Sequence, residues 1–107
     1  MTPRKPPTIT VPSHLSAASQ AYWTATQATF GIVDDSGLKL LTMACECLDS
    51  AELARLAVAQ HGQTFVDRLG NVRPRPEVRI QRDAMLGFKA LVRELRLDPL
   101  TPMEQKR

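Results

Sequence analysis

The strongest constraint on this chain is a helical run that is apolar around most of its circumference. Its apolar residues are Leu38, Leu40, Leu41, Met43, Ala44, Cys45, Cys47, Leu48, Ala51, Leu53, Ala54, Leu56, Ala57 and Val58. Polar residues are confined to a narrow stripe of Lys39, Thr42, Glu46 and Asp49, which Glu52 and Arg55 continue on a displaced line. Such a helix is contacted from more than one side. Asp34 is a good N-cap, Asp35 favours the positive end of the helix dipole, and Gly62 suits the left-handed position just past the end. The spacing predicts a helix over 35–60, about 39 Å long at 1.5 Å per residue. A chain of 107 residues is one domain and has too little other sequence to cover that helix. Part of it is expected to pack against other copies, with Leu41, Leu48 and Leu56 as contact residues.

The surrounding sequence supports a mainly helical fold. Apolar residues at 43% and charged residues at 23% exclude disorder as the main state. A core poor in aromatics and rich in Ala and Leu favours helices over strands. Ser16 is a good N-cap for a first helix that runs to Phe30 and stops at Gly31. Leu15, Ala18, Tyr22, Ala25 and Thr29 recur at three and four, with Trp23 and Phe30 beside them, so Tyr22 and Trp23 read as core. Stacking on nucleic acid is the alternative for these two. The short link over 31–37 makes the first two helices neighbours. Ahead of them, residues 1–14 hold Pro3, Pro6, Pro7 and Pro12 with Arg4-Lys5, and read as a mobile basic arm.

After Gly62 the period changes from helical to two. Thr64-Phe65-Val66 and Asn71-Val72-Arg73 read as a hairpin within residues 63–75, turning at Gly70. Two strands alone are marginal, so the hairpin leans on helices or pairs between subunits, with Phe65 and Val66 as the contact residues. Pro74 and Pro76 are expected to stop the ladder, and Pro76 to open a last helix that runs to Leu97. Ile80, Ala84, Phe88, Leu91 and Leu95 form its apolar seam. The domain therefore spans residues 15–97, and residues 98–107 read as a tail.

Charge is concentrated in this last third. Ten of the fourteen Lys and Arg residues lie from Arg68 onwards against five acids, so that part is net +5 while residues 1–67 are net −2. Arg79, Arg82, Lys89, Arg93 and Arg96 fall opposite the seam, and Arg68, Arg73 and Arg75 precede them. Cations so spaced neutralise successive phosphates without reading bases. A solvated face, or pairing with the acidic second helix of another subunit, is the alternative.

No residue pattern points to catalysis, a cofactor or a metal. Gly62 and Gly70 are eight apart with no Gly-Lys-Ser/Thr after them, so no phosphate-cradling loop is present. His14 and His61 lack nucleophile neighbours and ligand spacing, and Asp34-Asp35 reads as capping. Cys45 and Cys47 diverge by about 200° on a helix and cannot pair. No run reaches the length of a membrane span.

In order and spacing the chain resembles the small subunit of the tailed-bacteriophage terminase, in its short all-helical variety. The resemblance rests on Leu15-Ser16 with Trp23, Gly31-Ile32-Val33-Asp34, the segment from Gly62 to Gly70 with Pro74 and Pro76, and Glu94-Leu95-Arg96-Leu97-Asp98-Pro99. Arg96 stands where that family usually has glycine, so the last helix is expected to stay regular one turn longer. The resemblance implies a non-enzymatic subunit of an oligomeric ring in the bacterial host cytoplasm. Such a subunit binds double-stranded viral DNA and regulates the ATPase and nuclease of the terminase large subunit. A helix-turn-helix regulator and a structural virion connector are the competing readings.

Overall fold

The computed structural model describes residues 9–97; the outer part of the expected arm and the whole expected tail lie outside the described residues. Three helices and one hairpin follow in order: α1 (Ala17–Phe30), α2 (Asp35–His61), β1 (Thr64–Val66), β2 (Val72–Pro74) and α3 (Pro76–Glu94). The helix starts follow local chemistry. Ser16 Oγ accepts the Ser19 amide at 3.2 Å, Asp34 accepts the Gly37 amide at 2.8 Å, and Pro76 occupies the first turn of α3. Gly31, at φ 59° and ψ 46°, closes α1 in the left-handed conformation.

Both α1 and α3 run antiparallel to α2. Ser16 and Ser19 meet Asp49, whereas the far end of α1 returns to Gly37 through Ile32. Glu77 and Ile80 lie beside Ser50, Leu53 and Ala54, and Gly87 faces Cys47. The core forms where all three helices meet, from Leu15, Trp23, Leu41, Cys45, Val92 and Leu97. Tyr22 packs edge-on against Phe88 with ring centroids 5.7 Å apart. Beyond this junction, among the described residues, the second half of α2 meets the start of α3, and Arg75 at the hairpin base covers its end. The radius of gyration is 18.6 Å, against about 13 Å for a compact domain of this length. An elongated shape leaves apolar surface uncovered.

Several local expectations are corrected. The packed face of α1 carries Leu15, Ser19, Trp23 and Thr26, while Ala18, Ala25, Thr29 and Phe30 are exposed. Ser19 is accommodated because Asp49 accepts its hydroxyl at 2.5 Å, beside the Ser16 hydroxyl at 2.5 Å and the Ser16 amide at 2.9 Å. Burial works to raise the Asp49 carboxyl, but these hydrogen bonds, with the nearby His14, outweigh it and hold the group below its ordinary value. Residues ahead of Leu15 also belong to the fold. Val11 packs on the core, and His14 Nε2 sits 2.8 Å from Glu46 Oε2.

Gly62 has positive φ but extended ψ, at 86° and 173°. It is therefore no left-handed cap, and the Arg75 guanidinium covers the end of α2 instead, 3.3 Å from the His61 carbonyl and 3.1 Å from that of Gly62. The hairpin pairs Thr64 with Pro74, Phe65 with Arg73 and Val66 with Val72, so Pro74 lies within β2. Hydrogen bonds from the Asp67 amide to Asn71 and from the Arg75 amide to Gln63 put the paired groups on odd residues. Pro74 falls between them, where its missing N–H points off an open edge. On α3, Ile80 is half exposed, and Val92 takes the buried place in the seam.

Arg96 does not lengthen α3. The helix stops at Glu94, and Arg96 adopts φ 59°, the left-handed conformation that glycine takes most readily. Its amide bonds the Arg93 carbonyl at 3.0 Å, and the Leu97 amide bonds that of Val92 at 2.9 Å, which is a Schellman closure. Burial of Leu97 against the core holds the turn against the left-handed penalty of its arginine. Arg96→Gly is expected to raise stability by about 1 kcal/mol, read as a higher urea midpoint at unchanged slope.

Candidate nucleic-acid interface

The basic face is built on α3. Glu77 in the first turn and Arg93 in the last complement its dipole, and Ala84, Phe88, Leu91, Val92 and Leu95 turn inward. Arg79, Arg82, Lys89 and Arg93 consequently point away from α2, and all four are exposed. Arg96, just past the helix end, is exposed as well. Among the described residues, no carboxylate comes within ion-pair distance of Arg82, Lys89, Arg93 or Arg96. Arg79 has only a loose contact, 3.7 Å from Asp83, between two exposed side chains.

The hairpin arginines divide differently. Arg73 Nε donates to Asp67 Oδ2 at 2.9 Å. The same carboxylate accepts the Leu69 and Asn71 amides at 2.9 Å each, and the Asn71 amide followed by Arg73 holds it below the ordinary aspartate value. Arg75 is half-buried over the end of α2. Arg73 stays 58% exposed beside the Asp67 carboxylate, and Arg68 at the tip is exposed. Between the hairpin base and α3 opens a cleft of about 530 Å³ lined by Pro74, Arg75, Pro76, Val78, Arg79 and Arg82. Leu86, exposed between Arg82 and Lys89, makes the row less purely cationic than its arginine spacing indicates. Its position four after Arg82 and three before Lys89 was the available signal.

The expected subunit-contact residues also separate. Leu41 is 0% exposed inside its own core, so it has no surface to offer another copy. Its place opposite both α1 and α3 is the reason. Leu48 is half-buried, while Leu56, Phe65 and Val66 are open.

Chemically, the face is suited to holding a polyanion. Burial, followed by Asp49 and Glu46, pushes the Cys45 thiol up to about 11, and burial followed by Glu46 also raises Cys47. Both thiols stay protonated and unreactive near neutral pH. Among the described residues, no group of His, Cys, Asp and Glu is placed to hold a metal, and no helix is long and apolar enough to cross a membrane.

The model of the family described as phage terminase, small subunit, matches residues 23–106. The chain belongs to this family. The match covers Trp23, the Gly31–Asp34 link, the hairpin with its prolines, and the end of α3, while Leu15-Ser16 lies ahead of it. No curated protein and no solved structure matches the chain. Membership in the terminase small-subunit family associates the chain with phage DNA packaging, alongside DNA and the large subunit, and the family is generally the non-catalytic partner.

Proposed function

We propose that this chain is the ring-forming, non-catalytic small subunit of a viral DNA-packaging terminase, acting in the cytoplasm of the bacterial host. It binds double-stranded viral DNA and regulates the ATPase and nuclease of the large subunit as packaging begins. The observation that carries this reading is the open basic face of α3, with Arg82, Lys89, Arg93 and Arg96 exposed and unpaired among the described residues. Repeated around a ring, that face offers a row of phosphate contacts independent of base sequence. Leu53, Leu56 and Ile80 remain exposed beside one another on the outer half of α2 and the start of α3, which supports assembly. A helix-turn-helix reading gains nothing, because Arg55 is held by Glu52 at 2.6 and 2.9 Å and Lys39 is the only other cation on α2.

Native mass spectrometry at micromolar concentration, with and without duplex DNA, tests the proposal. The expected result is one closed oligomer that takes up DNA in a strongly salt-dependent manner. A monomer removes the ring, and an oligomer indifferent to DNA replaces the packaging role with that of a structural connector.

A further inference from the structure

Two apolar surfaces of this chain lie uncovered at different places. The first is one face of the hairpin. Side chains alternate across the pleat, so Thr64, Val66, Val72 and Pro74 share one face, with Val66 and Val72 directly opposed. Val66 is 66% exposed and Val72 69%. The turn behind them is firmly built: Gly70 takes φ 82°, its amide bonds the Asp67 carbonyl at 3.1 Å, and Asp67 accepts two further amides and Arg73. This face is a stiff, preformed apolar plate, and an isolated two-stranded hairpin gains stability by being covered.

The second surface is a groove of about 260 Å³ between α2 and α3, lined by Ser50, Leu53, Ala54, Glu77 and Ile80. Leu53 is 70% exposed and Ile80 49%. Glu77 Oε2 is buried there with no hydrogen-bond partner among the described residues. A buried acceptor of this kind calls for a donor from elsewhere. The hairpin brings donors: the outward N–H groups of Thr64 and Val66 on its open edge, and Arg68 at its tip. The segment from Gly62 to Arg75 carries Arg68, Arg73 and Arg75 against Asp67 alone, so its charge complements the carboxylate in the groove.

We propose that the hairpin of one copy seats on the α2–α3 groove of the next, with Val66 and Val72 against Leu53 and Ile80 and a hairpin donor completing Glu77. The inference rests on the ring-forming reading above and specifies its contact. The two surfaces differ, so the contact can run head-to-tail from copy to copy, which closes into a ring when the rotation between copies closes. Protein fits the hairpin face better than DNA, because the exposed plate is apolar and Arg73 is held by Asp67.

The test uses two variants of the full chain, Val66→Glu and Leu53→Glu, both at exposed positions, with helix content checked by circular dichroism. Each variant alone is expected to sediment as a monomer at micromolar concentration where the unaltered chain assembles. Mixed in equal amounts, they are expected to form a one-to-one heterodimer, because one sound hairpin and one sound groove remain and the chain of contacts cannot continue. Rings that persist in both variants overturn the inference and leave the ring reading standing. Monomers that form no heterodimer show that the two surfaces do not meet. Intact rings that lose DNA binding assign the hairpin face to DNA. An unaltered chain that is itself monomeric overturns the ring reading and this contact together.

Discussion

Replacing Arg79, Arg82, Lys89 and Arg93 together with alanine is expected to flatten the salt dependence of DNA binding while leaving assembly intact. Each phosphate contact contributes about 0.9 to the slope of log K against log salt, so four lost contacts lower it by about 3 to 4. Arg79 counts for less than the others, because Asp83 competes for it. The fold should tolerate the change, since all four positions are exposed and alanine is the best helix former. Titrations of one duplex at several salt concentrations measure the slope. An unchanged slope denies these residues any phosphate contact, and dissociation of the oligomer reassigns the row to subunit contacts.

The largest effect on stability is expected at Trp23. Its ring is buried in the cluster of Leu15, Leu41, Cys45, Val92 and Leu97, where α1, α2 and the closure after α3 converge. Truncation to alanine leaves a cavity that the surrounding helices fill only in part, at a cost of about 3–5 kcal/mol. A domain this small holds about 5–15 kcal/mol in total, so Trp23→Ala should unfold early in urea. The comparison needs a fixed protein concentration, because assembly adds to apparent stability. The volume-conserving Leu41→Met in the same cluster should cost less than about 1.5 kcal/mol. Equal losses in the two variants would contradict a tightly packed junction.

Where local chemistry decides an element, reading the chain forward works. Ser16, Gly31, Asp34 and Pro76 mark the helix ends because capping and proline geometry act within a few residues. Gly70 marks the hairpin for the same reason. The α1 face is a different case: hydrophobic periodicity passes over Ser19 and Thr26, and the buried Ser19 hydroxyl is satisfied by Asp49, thirty residues away, and by the Cys45 carbonyl. Proline at position 74 argued for a strand end, yet both strands of a two-stranded sheet are edges and the missing donor is not needed there. At Arg96, burial of Leu97 overrides the residue's own backbone preference.

The basic row divides along the same line. Spacing along α3 was enough to place Arg79, Arg82, Lys89 and Arg93 on one side of a helix, because period and side-chain direction are properties of the helix itself. How open each arginine is to a phosphate depends on the groups folded against it. Arg75 is taken by the carbonyls that end α2, and Arg73 by the carboxylate that builds the turn. The apolar excess of α2 was legible from composition and length, but its distribution was not. Only the meeting of three helices at one end of α2 covers Leu41 and leaves Leu53, Leu56 and Ile80 open, because burial is set by neighbours in space and not by the residue's own hydrophobicity.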